Sequence, residues 1–357
     1  MPQSAVDSLS LAFEHAKTQL FRPFRLGQWS RLALVGLFAG EMGSGGGCNG
    51  SNFHIPAHTG GGHREFLMGS FPSPWLYGPL LIVLLITVPI LWLLFLYVSS
   101  RMRFILFDSV IAKRCEVRRM WRQRREPAMR YFLWQIVLSL VSLAGFAVIV
   151  GVPALFAFTL GWFTEPRSHL AGWILLGILV FFAFMAWAVA AVVAHVFTKD
   201  FVVPQMALEG VSAFEGWSRL WKMLGNEKGG YAGYAGMKLL MSIGAGIAVG
   251  IAALILLLIL LIPVGGLGAV AVFTGQAAGL TWNVFTITLA VVACCVFLLV
   301  FFYAVALISV PAIVFFPAYS IYFFAGRYPQ LGSLIYPPPP PAPPLIPPMD
   351  PIPEPGA

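Results

Sequence analysis

The chain reads as an all-α polytopic membrane protein. It is predicted to make six crossings arranged as three helical hairpins, with amphipathic helices lying along the cytoplasmic interface. Three observations predict this. The 357 residues are 59% hydrophobic and 10% charged, with a mean hydropathy of +0.84, whereas a soluble domain carries about 25% charged residues. Apolar runs of the roughly 20 residues that a bilayer demands recur along the chain. Eighteen of the 22 basic residues, finally, lie in three segments that precede or separate those runs.

The first 30 residues hold Asp7, Glu14, Lys17, Arg22 and Arg25. No apolar stretch there precedes a small-residue cleavage site, so no cleavable signal peptide is expected and the first apolar helix directs its own insertion. That first segment is the weakest element. Leu32–Gly40 is nine residues, about 14 Å of helix. It spans only if it starts near Leu26 and runs past Met42, as a tilted or locally thinning crossing; otherwise it re-enters on the same face. The later runs, Pro79–Ser99, Tyr131–Gly161, Leu170–Phe197, Tyr231–Pro263 and Trp282–Pro311, satisfy their backbone in lipid only as helices.

Charge sets the orientation. Ten Lys or Arg lie between Arg101 and Arg130; Lys17, Arg22, Arg25 and Arg31 precede the first run, and Lys199, Arg219, Lys222 and Lys228 follow the fourth. The connections between these segments hold Arg64, Arg167 and little else. Positive-inside bias puts the basic segments, and with them both termini, in the cytoplasm.

The membrane domain, residues 1–335, reads as one unit written three times, approximately 8–100, 101–197 and 198–330. Each unit opens with an amphipathic helix: "SLAFEHAKTQLF" (10–21), "CEVRRMWRQRRE" (115–126) and "SAFEGWSRLWKML" (212–224). In the third, Ser212 and Glu215 have capping-box spacing. Phe214, Trp217, Trp221 and Leu224 form one apolar stripe with Arg219 and Lys222 off it, the pattern of an interfacial helix. Each unit closes on a related return: "FILFDSV" (104–110), "FVVPQMA" (201–207) and "IVFFPAY" (313–319). Asp108, Pro204 or Pro317 there marks the bend out of a crossing helix.

The layout of "AFEGWSRLWKML" followed by "YAGYAGMKLLMSIGAGIAV" resembles uncharacterised bacterial polytopic proteins. It is also similar to the membrane domain of bacterial glycerophosphodiester phosphodiesterases, over about residues 8–325. The soluble catalytic domain of those enzymes, with its acidic metal ligands, has no counterpart in this sequence. The resemblance therefore implies a multi-pass protein of the bacterial inner membrane and implies no phosphodiesterase activity.

Candidate sites are few. In "GSGGGCNGSNFHIPAHTGGGH" (43–63), Cys48, His54, His58 and His63 could ligate a metal. Pro56 and the glycines deny them a rigid helical frame, however, and an outer loop is the default reading. The same stretch lacks the Lys-Ser/Thr of a phosphate loop. Arg118, Arg119, Arg122, Trp121, Trp217 and Trp221 are the candidates for lipid-headgroup contact, since basic and aromatic side chains gather at anionic cytoplasmic leaflets. Anionic lipid, not nucleic acid, is the expected partner of a basic segment tethered between two crossings.

None of the fourteen Asp and Glu falls in the middle of a predicted crossing, which argues against an ion-coupled transporter. Lys238 is expected to snorkel to the cytoplasmic face. Ser242, Gly246 and Gly250, with Gly244, Ala248 and Ala252, offer two small-residue faces for helix packing. Residues 336–357 hold twelve of the 27 prolines and suit a disordered polyproline II tail or a docking peptide. No catalytic residue or cofactor is assigned. The leading reading is a structural or accessory membrane protein, with a carrier or flippase for a lipid or other amphiphile as the alternative.

Overall fold

A computed structural model describes residues 4–41, 74–163, 168–277 and 284–336. All regular structure among them is helical. In chain order the elements are α1 (Ala5–Phe21), α2 (Leu26–Phe38), α3 (Pro74–Ile111), α4 (Val117–Gln123), α5 (Arg125–Thr159) and α6 (Leu170–Phe197). A π-helical turn (Thr198–Val202) follows, then α7 (Val203–Glu209), α8 (Ala213–Asn226), α9 (Lys228–Ala277), α10 (Val284–Ile308), α11 (Val310–Ala325) and α12 (Pro329–Ile335).

Among the described residues, five helical segments are long and apolar enough to cross a membrane: Leu81–Ile111, Arg125–Thr159, Leu170–Glu209, Lys228–Gly275 and Phe285–Ile308. A sixth results if α11 and α12, bent by 117°, count as one broken span. The long segments correspond to the second through sixth predicted runs. Their side chains, from Leu81 to Phe95 or from Leu170 to Phe184, point largely outward, a cost in water and none in hydrocarbon.

The first run departs from expectation. α2 starts at Leu26, as read, but ends at Phe38 and does not run past Met42. Gly40 takes φ +74°, and Glu41 N–H donates to the Gly36 carbonyl at 2.9 Å, a glycine-dependent helix stop. Thirteen residues give about 20 Å of helix.

The buried core lies at one end of the long helices. Phe104–Phe107, Phe201–Val203 with Met206, and Ile313, Val314, Phe316 and Tyr319 are all inside it; these residues belong to the three return segments. Helix α2 packs on α3, α5 on α6 and α9 on α10, while α1 lies along α11. Gly36 allows the approach of α2 to α11, since a Cβ there would lie 2.4 Å from the Ile313 side chain. In the fifth crossing the expected small-residue packing is not seen at Gly244 or Gly250. A Cβ on Gly244 or Gly250 would meet nothing within 4 Å among the described residues. Close glycine packing occurs instead at Gly145 against Trp187 and Gly172 against Trp162.

Helix α8 also turns differently from its predicted stripe. Its buried residues are Ala213, Gly216 and Leu220, because a side chain at Gly216 would press on Val202 at 2.8 Å and only small groups fit against the π-turn. Trp217 is half-buried and donates from Nε1 to Thr198 Oγ1 at 2.9 Å. Phe214 and Trp221 are 77% and 70% exposed. The predicted cap is present as Glu215 N–H donating to Ser212 Oγ at 3.2 Å, while the Glu215 carboxylate turns to Arg219 at 2.6 Å.

Helix α1 is clasped by a buried histidine. His15 Nε2 lies 2.9 Å from the Val110 carbonyl, which can only accept, and Nδ1 lies 3.0 Å from the Tyr322 hydroxyl. These partners assign the neutral ring with its proton on Nε2. Burial, and secondarily Lys113, lowers the His15 pKa below its ordinary value. A histidine whose folded pKa is depressed binds its proton more readily when the chain is unfolded. Its contribution to stability is therefore complete above about pH 6.5 and declines as pH falls below that value. Hydrogen exchange in α1 should accordingly rise, relative to intrinsic rates, between pH 7.5 and pH 5 in the native protein and not in His15→Gln. Equal acid sensitivity in the two proteins would remove His15 as the cause.

Candidate functional site: a buried charge cluster

The sequence places five charged residues in apolar surroundings at the core end of the long helices. Glu41 follows the α2 stop, Arg103 is on α3, Lys199 and Asp200 share the π-turn, and Lys238 is on α9. Glu41, Arg103, Asp200 and Lys238 are buried, and the Lys199 side chain is 8% exposed. Arg103 Nη1 donates to Glu41 Oε1 at 2.6 Å, and Lys199 Nζ donates to Glu41 Oε2 at 2.5 Å. Arg103 also donates to the Ala39 carbonyl, tying it to the end of α2. Asp200 Oδ2 accepts from Lys238 Nζ at 2.5 Å and from the Tyr234 hydroxyl at 2.9 Å.

The local backbone explains the arrangement. A π-turn widens the helix and resets the direction of its side chains. Consecutive residues here serve two different partners, Lys199 toward Glu41 and Asp200 toward α9. Aromatic rings close the cluster on the α9 and α11 sides. Tyr234 stacks on Tyr319 with centroids 5.0 Å apart and an interplanar angle of 10°, and Phe201 packs on both Tyr231 and Tyr234. Charges removed from water persist only when paired and hydrogen-bonded, and each of these five is.

Glu41, Arg103, Lys199, Asp200 and Ser320 line a cavity of about 20 Å³. That is room for one water molecule bridging fixed charges, and too little for a substrate. The cluster can orient a water and lock helices. Among the described residues no three His, Cys, Asp or Glu converge as a metal-binding group.

Several basic residues that mark topology in the sequence turn out to be fixed in structure. Arg124 grips Asp108 with two bonds of 2.7 Å and reaches the Ala207 carbonyl. Arg101 donates to the Tyr97 hydroxyl at 2.6 Å and to the Trp121 carbonyl at 2.9 Å, and its guanidinium covers the Trp121 ring at 4.9 Å. Arg327 pairs with Glu227 at 2.6 Å, which holds the Glu227 carboxyl below its ordinary pKa.

Of the headgroup candidates, Arg118, Arg119 and Arg122 are exposed on α4 and Trp121 is half-buried beneath Arg101. Trp221 is exposed, and Trp217 is bonded into the core. They do not form one surface with the cluster. Cys48, His54, His58 and His63 lie outside the described residues. Lys238 does not snorkel; it is 6% exposed and pairs with Asp200, because a carboxylate nearby offers what the interface would have offered.

Sequence reasoning missed this cluster. Lys199 and Arg103 read as topology charges, and Glu41 and Asp200 were given no role. The available signal was the Lys199–Asp200 pair set directly against the apolar Phe201–Val203.

No curated protein and no solved structure matches the chain. The profile of one family does, across all twelve helices from α1 to the last turn of α12. The chain belongs to a family of unknown function, DUF7544, which it matches over residues 3–334.

Proposed function

We propose that this protein is a non-catalytic scaffold of the bacterial inner membrane, a rigid cytoplasmic-face platform carried on membrane helices. The observation that carries the reading is the closure of the charge cluster. Its five ionised groups are spent on one another across α2, α3, the π-turn and α9, around space for one water. A carrier for an amphiphile would instead leave polar groups converging on a passage between the spans.

Three repeated units support the platform. The pairs α2–α3, α5–α6 and α9–α10 each pack together, and each return segment ends in the shared core. The opening helices correspond in detail. Ala12 and Ala213 are buried, whereas Phe13 and Phe214 beside them are exposed. We read α1 and α8 as interfacial elbows whose outward phenylalanines, with Trp221, meet lipid. The exposed Arg118, Arg119 and Arg122 face anionic headgroups in the same leaflet.

Helix α1 packs on α11, so both ends of the membrane domain share the core side, which positive-inside bias makes cytoplasmic. The five long described helices then need one further passage, which we assign to the short first apolar run that starts at Leu26. The similarity of layout to the membrane domain of glycerophosphodiester phosphodiesterases belongs to this proposal for membrane placement and not for activity.

We assign the Pro-rich residues 336–357 the role of a docking peptide for a cytoplasmic partner. Two measurements test the reading. Trp221 fluorescence in liposomes should be quenched by lipids brominated near the headgroup, and Phe214→Ser should weaken that quenching about twofold or more. Proteins crosslinked to the full-length chain in cells should be lost when residues 337–357 are deleted. If every crosslinked protein remained, the docking role of the tail would fall.

A further inference from the structure

Beyond the charge cluster, the core carries a second concavity of about 400 Å³ between α3, α4, α7 and α12. That volume lies within the range of small-molecule sites. Its floor is apolar, formed by Phe107, Ile111, Met120, Leu208 and Leu334, and Arg114 and Arg119 stand at its rim. We propose that this groove binds a single-chain anionic amphiphile, an acyl chain carrying a phosphate or carboxylate head. The inference goes beyond the scaffold reading and does not rest on it.

Charge argues for the head. Of the two carboxylates at the groove, Asp108 is neutralised by the two-bond grip of Arg124. Glu116 reaches Arg119 only at 3.7 Å, through side chains that are 50% and 72% exposed, a pairing worth little. Arg114 is exposed and pairs with no carboxylate among the described residues. The two rim guanidiniums therefore keep donor capacity suited to a phosphate or carboxylate. The backbone holds Arg114 in place at a cost. Lys113, next to it, takes φ +55°, a conformation unfavourable for a residue with a side chain, and its carbonyl accepts from Gln28 Nε2 at 3.1 Å.

Size and position argue for a single chain at the core end of the helices. The outward apolar stretch of α3 ends near Phe95, and the groove begins at Phe107. Those twelve residues make about 18 Å of helix, so the groove lies at the core end of α3, beyond its outward apolar stretch. A concavity of about 400 Å³ is of single-ligand size, which suits a fatty acid, an acyl phosphate or a lysophospholipid.

The test uses the full-length protein in phosphatidylcholine nanodiscs, with lauroyl lysophosphatidic acid as the probe. Lauroyl lysophosphatidylcholine and inorganic phosphate serve as comparison arms. Saturable binding of lysophosphatidic acid is expected by native mass spectrometry. It should be about tenfold weaker in Arg114→Ala/Arg119→Ala, the worth of a lost charge-assisted bond. Leu334→Trp, at a half-exposed position that tolerates a large side chain, should block the groove and abolish binding while leaving the thermal midpoint unchanged. Equal binding of the phosphatidylcholine analogue, or unchanged binding in both variants, would overturn the proposal. Binding of inorganic phosphate as tight as that of lysophosphatidic acid would also overturn it, since the apolar floor would then play no part. If binding appeared only after residues 337–357 were deleted, the occupant would be the chain's own tail and the proposal would fall.

Discussion

Glu41→Ala is expected to destabilise the protein by about 3–5 kcal/mol, the usual cost of leaving buried charge without its counter-ion. The carboxylate stands between Arg103 and Lys199 at 2.6 and 2.5 Å. Without it two cations would face each other out of reach of water. The end of α2 would lose the contact that holds it against α3 and the π-turn. Chemical or thermal unfolding of the protein in nanodiscs measures the loss. The triple change Glu41→Leu/Arg103→Met/Lys199→Met should recover most of it, because apolar groups of similar volume avoid desolvation altogether. A cost below about 1 kcal/mol for Glu41→Ala would show that the cluster is not what joins these helices.

Asp200→Ala should have an effect of similar size, about 3–5 kcal/mol, read at a different place. It strands the Lys238 ammonium, 6% exposed, and removes the acceptor of the Tyr234 hydroxyl. The damage should appear in α9, so limited proteolysis near Lys228 is a suitable readout. Lys238→Met in the same chain should restore part of the loss, and a double-mutant cycle on Asp200 and Lys238 should give a coupling well outside additivity. Independent effects of the two substitutions would mean that the pair does not act as a unit.

The membrane class was legible because burial in lipid demands long uninterrupted apolar helices, and these leave an unmistakable composition. The apolar residues of the three return segments fill the core, but the bends expected at Asp108, Pro204 and Pro317 are absent, since helix runs through all three positions. Helix α8 was read only in part. The aromatic stripe of Phe214, Trp217, Trp221 and Leu224 was visible, but periodicity cannot tell a face that meets protein from one that meets lipid. What turned Ala213, Gly216 and Leu220 inward was the room available beside Val202.

The cluster was illegible for a different reason. Arg103 lies 62 residues from Glu41, and Lys199 lies 158 residues from it. A lysine one or two turns inside an apolar helix has the same local pattern whether it snorkels or pairs. Lys238 pairs because Asp200 arrives from another helix, and no window along the chain contains both.

By itself the sequence determined that this protein is helical, that most of its length is suited to lipid, and where its five long helices lie. Hydrophobicity and periodicity act over a single helix, so they are written locally. Only the tertiary structure decided which charges are buried, which face of α8 points inward, and that the first apolar segment stops at Gly40 with Glu41 drawn between Arg103 and Lys199. These outcomes depend on desolvation and packing between segments far apart in the chain, where the free energy of one residue is set by its partner.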